Sequence, residues 1–253
     1  MSRALAAIAF AGALLAATGA AAQSVSIDLG GEGALTLQVV QLIALITVLS
    51  LAPGILVMVT CFPFMVTVLS ILRQAVGVQQ APPNMMIVSL ALFLTYFVMA
   101  PVFDEAWTRG VSPLIEGEMT AERSFAETVA PFRVFMEGRT DPRTMEALRE
   151  AAPTAIPAAL DVVEGSADEA ERPPLSLLVP SFLLSEIKRG FEIGFLIFLP
   201  FLVIDLVVAS ILMAMGMMMV PPAIVSLPFK LAFFVLADGW TLLAGALVRG
   251  YAQ

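Results

Sequence analysis

Residues 193–222 read IGFLIFLPFLVIDLVVASILMAMGMMMVPP. The opening part is apolar enough for a helix that crosses hydrocarbon, which needs ~20 such residues. One carboxylate, Asp205, interrupts it. From Met213 to Met219, five methionines fall in seven residues. Gly216 and the pair Pro221-Pro222 then break the helix, since proline removes a backbone donor and clashes with the preceding turn. Methionines on one helix stripe would simply fill gaps in a core. These sit on a broken connector, and irregular backbone at membrane depth is tolerated only where protein packs around it or a cavity runs past it. Thioethers placed there would exclude water and ions, yet yield to objects of varied shape. One chain cannot build a ring from one loop, so a compliant seal of this kind requires an oligomer.

Composition agrees with a membrane setting. The 253-residue chain is 59% hydrophobic and only 13% charged, with net charge −8. It has no histidine, the commonest metal ligand and the commonest general base at neutral pH. Its single cysteine, Cys61, excludes an intramolecular disulfide and a thiolate metal cluster, and reads as a small buried apolar residue. No basic stripe points to nucleic acid. Phosphate-loop patterns and Ser-His or Cys-His pairs are missing, and adjacent Asp104 and Glu105 would face different ways on a helix. The sequence therefore reads as a non-enzyme with no cofactor and no metal.

The chain organises into five segments. Arg3, the apolar run ALAAIAFAGALLAATG and the small residues before Gln23 predict a cleavable secretory signal peptide over 1–22. Residues 23–36 would be a short mobile lead-in. Residues 37–103 predict a first kinked helical hairpin. No charge occurs from Gly33 to Leu72, and Pro53-Gly54 is expected to end one helix near Leu51, with Pro63 as a further break. A helix from Met85 to Phe103 follows the connector RQAVGVQQAPPN. Residues 104–189 are polar and read as an extracytoplasmic helical segment. Thr120 and Asp141-Pro142 mark two helix starts there, and 153–174 reads as a surface loop. Residues 190–250 predict the second hairpin, with one apolar helix after Glu192 and another from Ala223 to Val248. With the N-terminus outside, both connectors would face the same side. The fold class expected is thus an all-α integral membrane protein.

Two further patterns bear on mechanism. Asp205 and Lys230 flank the methionine connector at comparable distances, one before it and one after. Intramembrane charges are costly, ~2.5–3.5 kcal/mol each on insertion scales. Pairing, within one chain across the hairpin or between chains, would offset this; alternatively, each reaches water near a helix end. The pattern Ser-Ile-Leu…Gly-x4-Pro-Pro also occurs twice. It runs from Ser70 through Gly77 to Pro82-Pro83, and from Ser210 through Gly216 to Pro221-Pro222.

The stretch SEIKRGFEIGFLIFLPFLVIDLVVASILMAMGMMMVPP, followed by SLPFKLAFFVLADGW, closely resembles the FliP family of flagellar export proteins and its counterparts in virulence type III secretion. LRQAVGVQQAPPN and LALFLTYFVMAP resemble the family's first hairpin. The resemblance covers roughly 45–109 and 178–248. It implies an inner-membrane, multi-pass component of the flagellar basal body, through whose centre unfolded flagellar subunits pass. It implies five copies assembled with FliQ and FliR into a helical pore, alongside FlhA, FlhB and FliO. The family's methionine gasket maps onto Met217, Met218 and Met219, and its intramembrane Asp and Lys onto Asp205 and Lys230. One departure is Pro63-Phe64, where the family commonly has a polar pair with a basic residue. The competing expectations are an ion or solute channel or transporter, and a scaffold that lines no passage.

Overall fold

Local hydrogen bonding, more than proline alone, sets where the apolar runs break. The computed structural model describes residues 32–78, 82–151, 172–217 and 219–251. The expected signal peptide, most of the lead-in and the acidic loop lie outside these residues. Every described element is helical, and no strand occurs among the described residues. The chain divides into two units, residues 1–50 and 51–253.

Helix α1 spans Glu32–Met58. In the first unit its described apolar side chains, among them Val40, Ile43, Ile46 and Leu49, are exposed. Pro53 lies inside α1 and does not end it, contrary to the sequence expectation. The break falls at 59–61 instead. There the Thr60 hydroxyl donates to the Val57 carbonyl (3.1 Å) and accepts from the Phe62 N–H (3.4 Å). A side chain that supplies both partners offers the backbone an alternative to the helix ladder. Pro63 then sits in the first turn of α2, Phe62–Val76, where a missing N–H costs nothing. It is a start signal, not an extra break.

Helix α2 is the hub. Its residues Met65, Val68, Leu69 and Leu72 are almost fully buried. It ends at Gly77, whose left-handed backbone (φ 84°) lets its N–H return to the Arg73 carbonyl at 3.3 Å. Helix α3, Asn84–Ala106, continues through a π turn at Trp107–Val111 into the short α4, Ser112–Ile115. The polar segment supplies α5, Ala121–Arg139, and α6, Pro142–Ala151. Asp141 accepts the Arg143 N–H at 3.0 Å, as a helix-opening aspartate does. Thr120 makes no such bond.

Helix α7 runs unbroken from Leu175 to Ala214, through Pro180 and Pro200. It therefore starts well before Glu192, where the sequence suggested a new helix. Its 40 residues span about 60 Å at 1.5 Å each, twice the hydrocarbon thickness, so the charged first part and the apolar second part share one rod. A proline removes one bond from such a rod, and in apolar surroundings every remaining bond is kept. The last apolar run, expected as one helix, is two: α8, Pro222–Leu236, and α9, Gly239–Arg249, bent by 61°. Among the described residues, three helices are long and apolar enough to cross a membrane, and a fourth crossing is available if α8 and α9 count together. Helix α2, at 15 residues, is too short for that.

The α2–α7 contact depends on two glycines in Gly190-Phe-Glu-Ile-Gly194. A Cβ at Gly190 would lie 3.1 Å from Thr67, and one at Gly194 only 2.3 Å from Ile71. Small residues four apart let apolar helices approach without a hydrophobic driving force. Gly194→Val should therefore cost about 1–3 kcal/mol by over-packing, read as a lowered midpoint when the detergent-solubilised chain is thermally unfolded. Gly138→Ala on α5, where a Cβ meets nothing within 4 Å, should leave that midpoint unchanged or raise it.

Candidate functional site

Asp205 lies on α7 and Lys230 on α8. The turn between the two helices brings them face to face: Lys230 Nζ is 2.6 Å from Asp205 Oδ2. A second bond runs from Nζ to the Ala75 carbonyl at 3.1 Å. Ala75 is in the last turn of α2, whose terminal carbonyls lack intrahelical donors and carry the negative end of the helix dipole. Ser226 stands one turn before Lys230 on the same face of α8. It is fully buried and donates to Asp205 Oδ1 at 2.5 Å. Both carboxylate oxygens are thus engaged, and one ammonium ties three helices together. Lys230 is only 5% exposed, whereas the Asp205 side chain keeps 32% of its surface open.

The hairpin breaks are local versions of one geometry. Gly216 has φ 75° and its N–H donates to the Met213 carbonyl at 3.1 Å; Met217 N–H reaches the Leu212 carbonyl at 3.0 Å. This bond pair closes α7 as a Schellman turn, satisfying carbonyls that would otherwise be orphaned. Gly77 adopts the same left-handed conformation at the end of α2. Pro83 and Pro221 are both extended, each just before the next helix, and Pro222 opens α8. Pro82 precedes Pro83 in the first connector. Gly77 also borders the charge pair: a Cβ there would stand 3.7 Å from Lys230 Nζ.

The described methionines of this connector are not covered by the subunit that carries them. Met219 is 97% exposed, and Met213 and Met215 are also open. Met217 is 38% exposed and, with Met215, Ile211, Leu212, Val225 and Phe229, lines an apolar groove of about 520 Å³ between α7 and α8. Met218 lies outside the described residues. Among the described residues, no group of three or more His, Cys, Asp or Glu could hold a metal ion.

A model of the FliP family matches residues 45–247. The chain belongs to the FliP family. Flagellar biosynthetic protein FliP of Caulobacter vibrioides is 49% identical over 241 residues, covering 95% of this chain and 87% of the relative. The Rhizobium meliloti FliP is 47% identical over 247 residues, 94% of this chain and 96% of its own. The Bacillus subtilis FliP is 42% identical over 212 residues, covering 84% and 91%. The FliP match spans both connectors, the charge pair and the polar segment between the hairpins.

Sequence reading missed Ser226 and the Ala75 carbonyl; the i−4 spacing of Ser226 from Lys230 was the available signal. It also missed a second charged group. Glu186 on α7 is fully buried, beside Arg139 of α5 (Nε 3.5 Å) and Arg189 (3.7 Å), and it accepts the Tyr251 hydroxyl. Nearby Cys61 is buried, and burial pushes its thiol up to about 12, so it stays a neutral packing residue. At the surface, Lys188 donates to Asp141 at 2.7 Å, which, with the Arg143 N–H, holds that carboxyl below its usual range.

Asp205→Ala leaves Lys230 buried without its counter-ion, a loss of about 3–5 kcal/mol for pairs of this kind. A double-mutant cycle in detergent should show Asp205→Ala combined with Lys230→Met recovering most of that loss. Asp141 titrates lower in the folded chain than in the unfolded one, so its contribution is complete above the ordinary carboxylate range. It is lost as pH falls through the lowered folded value. Asp141→Asn should accordingly flatten the acid side of the stability profile and leave it unaltered near neutrality.

Proposed function

We propose that this FliP-family chain is a pore-forming subunit of the flagellar type III export gate, a multi-pass protein of the bacterial inner membrane in the flagellar basal body. Unfolded flagellar subunits pass through the assembly. Connectors from several copies converge, and Met217, Met218 and Met219 close the passage. Five copies, with FliQ and FliR, form the pore, and FlhA, FlhB and FliO act alongside.

The observation that carries this reading is Met219: a large apolar side chain, 97% exposed, at the tip of a hairpin pinned by the pair of Asp205 with buried Lys230. Rigid support brings an unbranched thioether to a defined place, and its own subunit does not cover it. A flexible, polarizable side chain suits a surface that must seal against many shapes. Similarity to relatives named flagellar biosynthetic protein FliP supports the flagellar assignment. A substrate-specific channel or transporter would need coordinating polar groups facing a passage. Both oxygens of Asp205 are instead taken by Ser226 and Lys230.

Replacing Met217, Met218 and Met219 together with alanine tests the seal. The variant should assemble into a complex of parental size while the resting membrane becomes leaky to small ions, measured with a potential-sensitive dye. A variant that assembles and stays as tight as the parent contradicts the proposal.

A further inference from the structure

Among the described residues, Asp238 is the one non-glycine residue with positive φ (φ 49°, ψ 47°). Its N–H closes α8 on the Val235 carbonyl at 3.1 Å, and its carbonyl opens α9 by accepting the Leu242 N–H at 3.1 Å. The 61° bend is made at this residue. Its side chain is exposed and makes no capping bond. Aspartate tolerates the left-handed region better than most residues, but still at a cost. Something other than Asp238 must therefore hold the bend.

The far end of α9 shows what does. The Tyr251 ring lies between Phe64 of α2 (centroids 5.5 Å, edge-on) and Phe135 of α5 (6.1 Å, stacked), with the Arg139 guanidinium 4.0 Å from its centroid. Its hydroxyl donates to buried Glu186 of α7, and Arg139 donates to the Gly250 carbonyl at 2.9 Å. Three helices thus grip the two residues that follow α9. Burial and the Glu186 charge push the Tyr251 phenol up, so it remains a donor at physiological pH. Between the two ends one face of the arm packs inward, with Ala244 and Val248 against the core, and Trp240 meets Phe234 edge-on across the bend at 5.3 Å. Leu243 and Leu247 enter the core, while Trp240 and Leu242 stay open.

We propose that α9 is a hinged arm, with Asp238 as the hinge, Tyr251 as the latch and the Glu186–Arg139 pair as the catch. With the latch engaged, 222–249 is a bent pair. With it released, α9 swings about Asp238 away from the core and its amides open to solvent. The device is separate from the methionine connector and does not depend on it.

Amide hydrogen exchange on the full chain in detergent tests this. Tyr251→Ala should speed exchange across 239–249 by about tenfold or more, leaving α2 and the middle of α7 as they were. At the other end of the arm, away from the Glu186 cluster, Asp238→Val should speed the same segment, also about tenfold, because a β-branched residue resists left-handed backbone. Asp238→Gly, which accepts that backbone freely, should slow it. If the Tyr251 variant does not fold, the opposite signs of the two Asp238 variants still decide. Exchange over 239–249 that ignores these substitutions, or that rises equally in α2, overturns the proposal.

Discussion

One ammonium group organises the second hairpin. Lys230 Nζ holds the Asp205 carboxylate of α7 and the carbonyl end of α2 at once, with Ser226 completing the carboxylate's partners. In apolar surroundings neither charge can be left alone. The arrangement adds little net stability compared with well-packed apolar residues, but breaking it is costly, and that asymmetry favours one register over others. Register is what the methionine connector needs. A slip of α8 along α7 by one turn would separate the pair and move Met217 and Met219 with it.

The rest of the architecture frees surface instead of hiding it. Close approach at Gly190 and Gly194 lets α2 bury itself against one face of α7. The other faces of α7 and α8 present Phe191, Phe195, Leu206, Ile211, Ile224 and Phe229 to the outside. Apolar surface on that scale is not stable in water and marks contact with lipid or with protein. The polar helices α5 and α6 share the rod of α7 but meet its charged first part, where Glu186, Lys188 and Arg189 find their partners. One 40-residue helix therefore joins two chemically different environments without a break.

Much of this was legible in the sequence. Hydropathy located the apolar helices, and Gly-x4-Pro-Pro marked both connectors, because glycine and proline act through local backbone geometry. Asp205 and Lys230 stood out because intramembrane charge is rare. Internal prolines misled. Pro53 and Pro200 sit within continuous helices, since a local propensity is overridden where the surroundings make backbone bonding obligatory. The break at Thr60 was illegible because it depends on a hydroxyl competing for two backbone groups. Partners remote in sequence, such as Ala75 for Lys230 and Tyr251 for Glu186, follow only from the tertiary fold. The bend carried a sequence signal, Asp238-Gly239, which the apolar runs on either side outweighed.

The central claim is that the charge pair within each subunit holds the methionine connector toward an axis shared by several copies. An electron-microscopy map of the complex extracted from its native membrane tests it most directly. The account predicts Met217, Met218 and Met219 from neighbouring copies meeting around a central passage, with Asp205 and Lys230 paired inside each copy. Connectors turned toward lipid, or sulfurs covered by their own subunit, would contradict it.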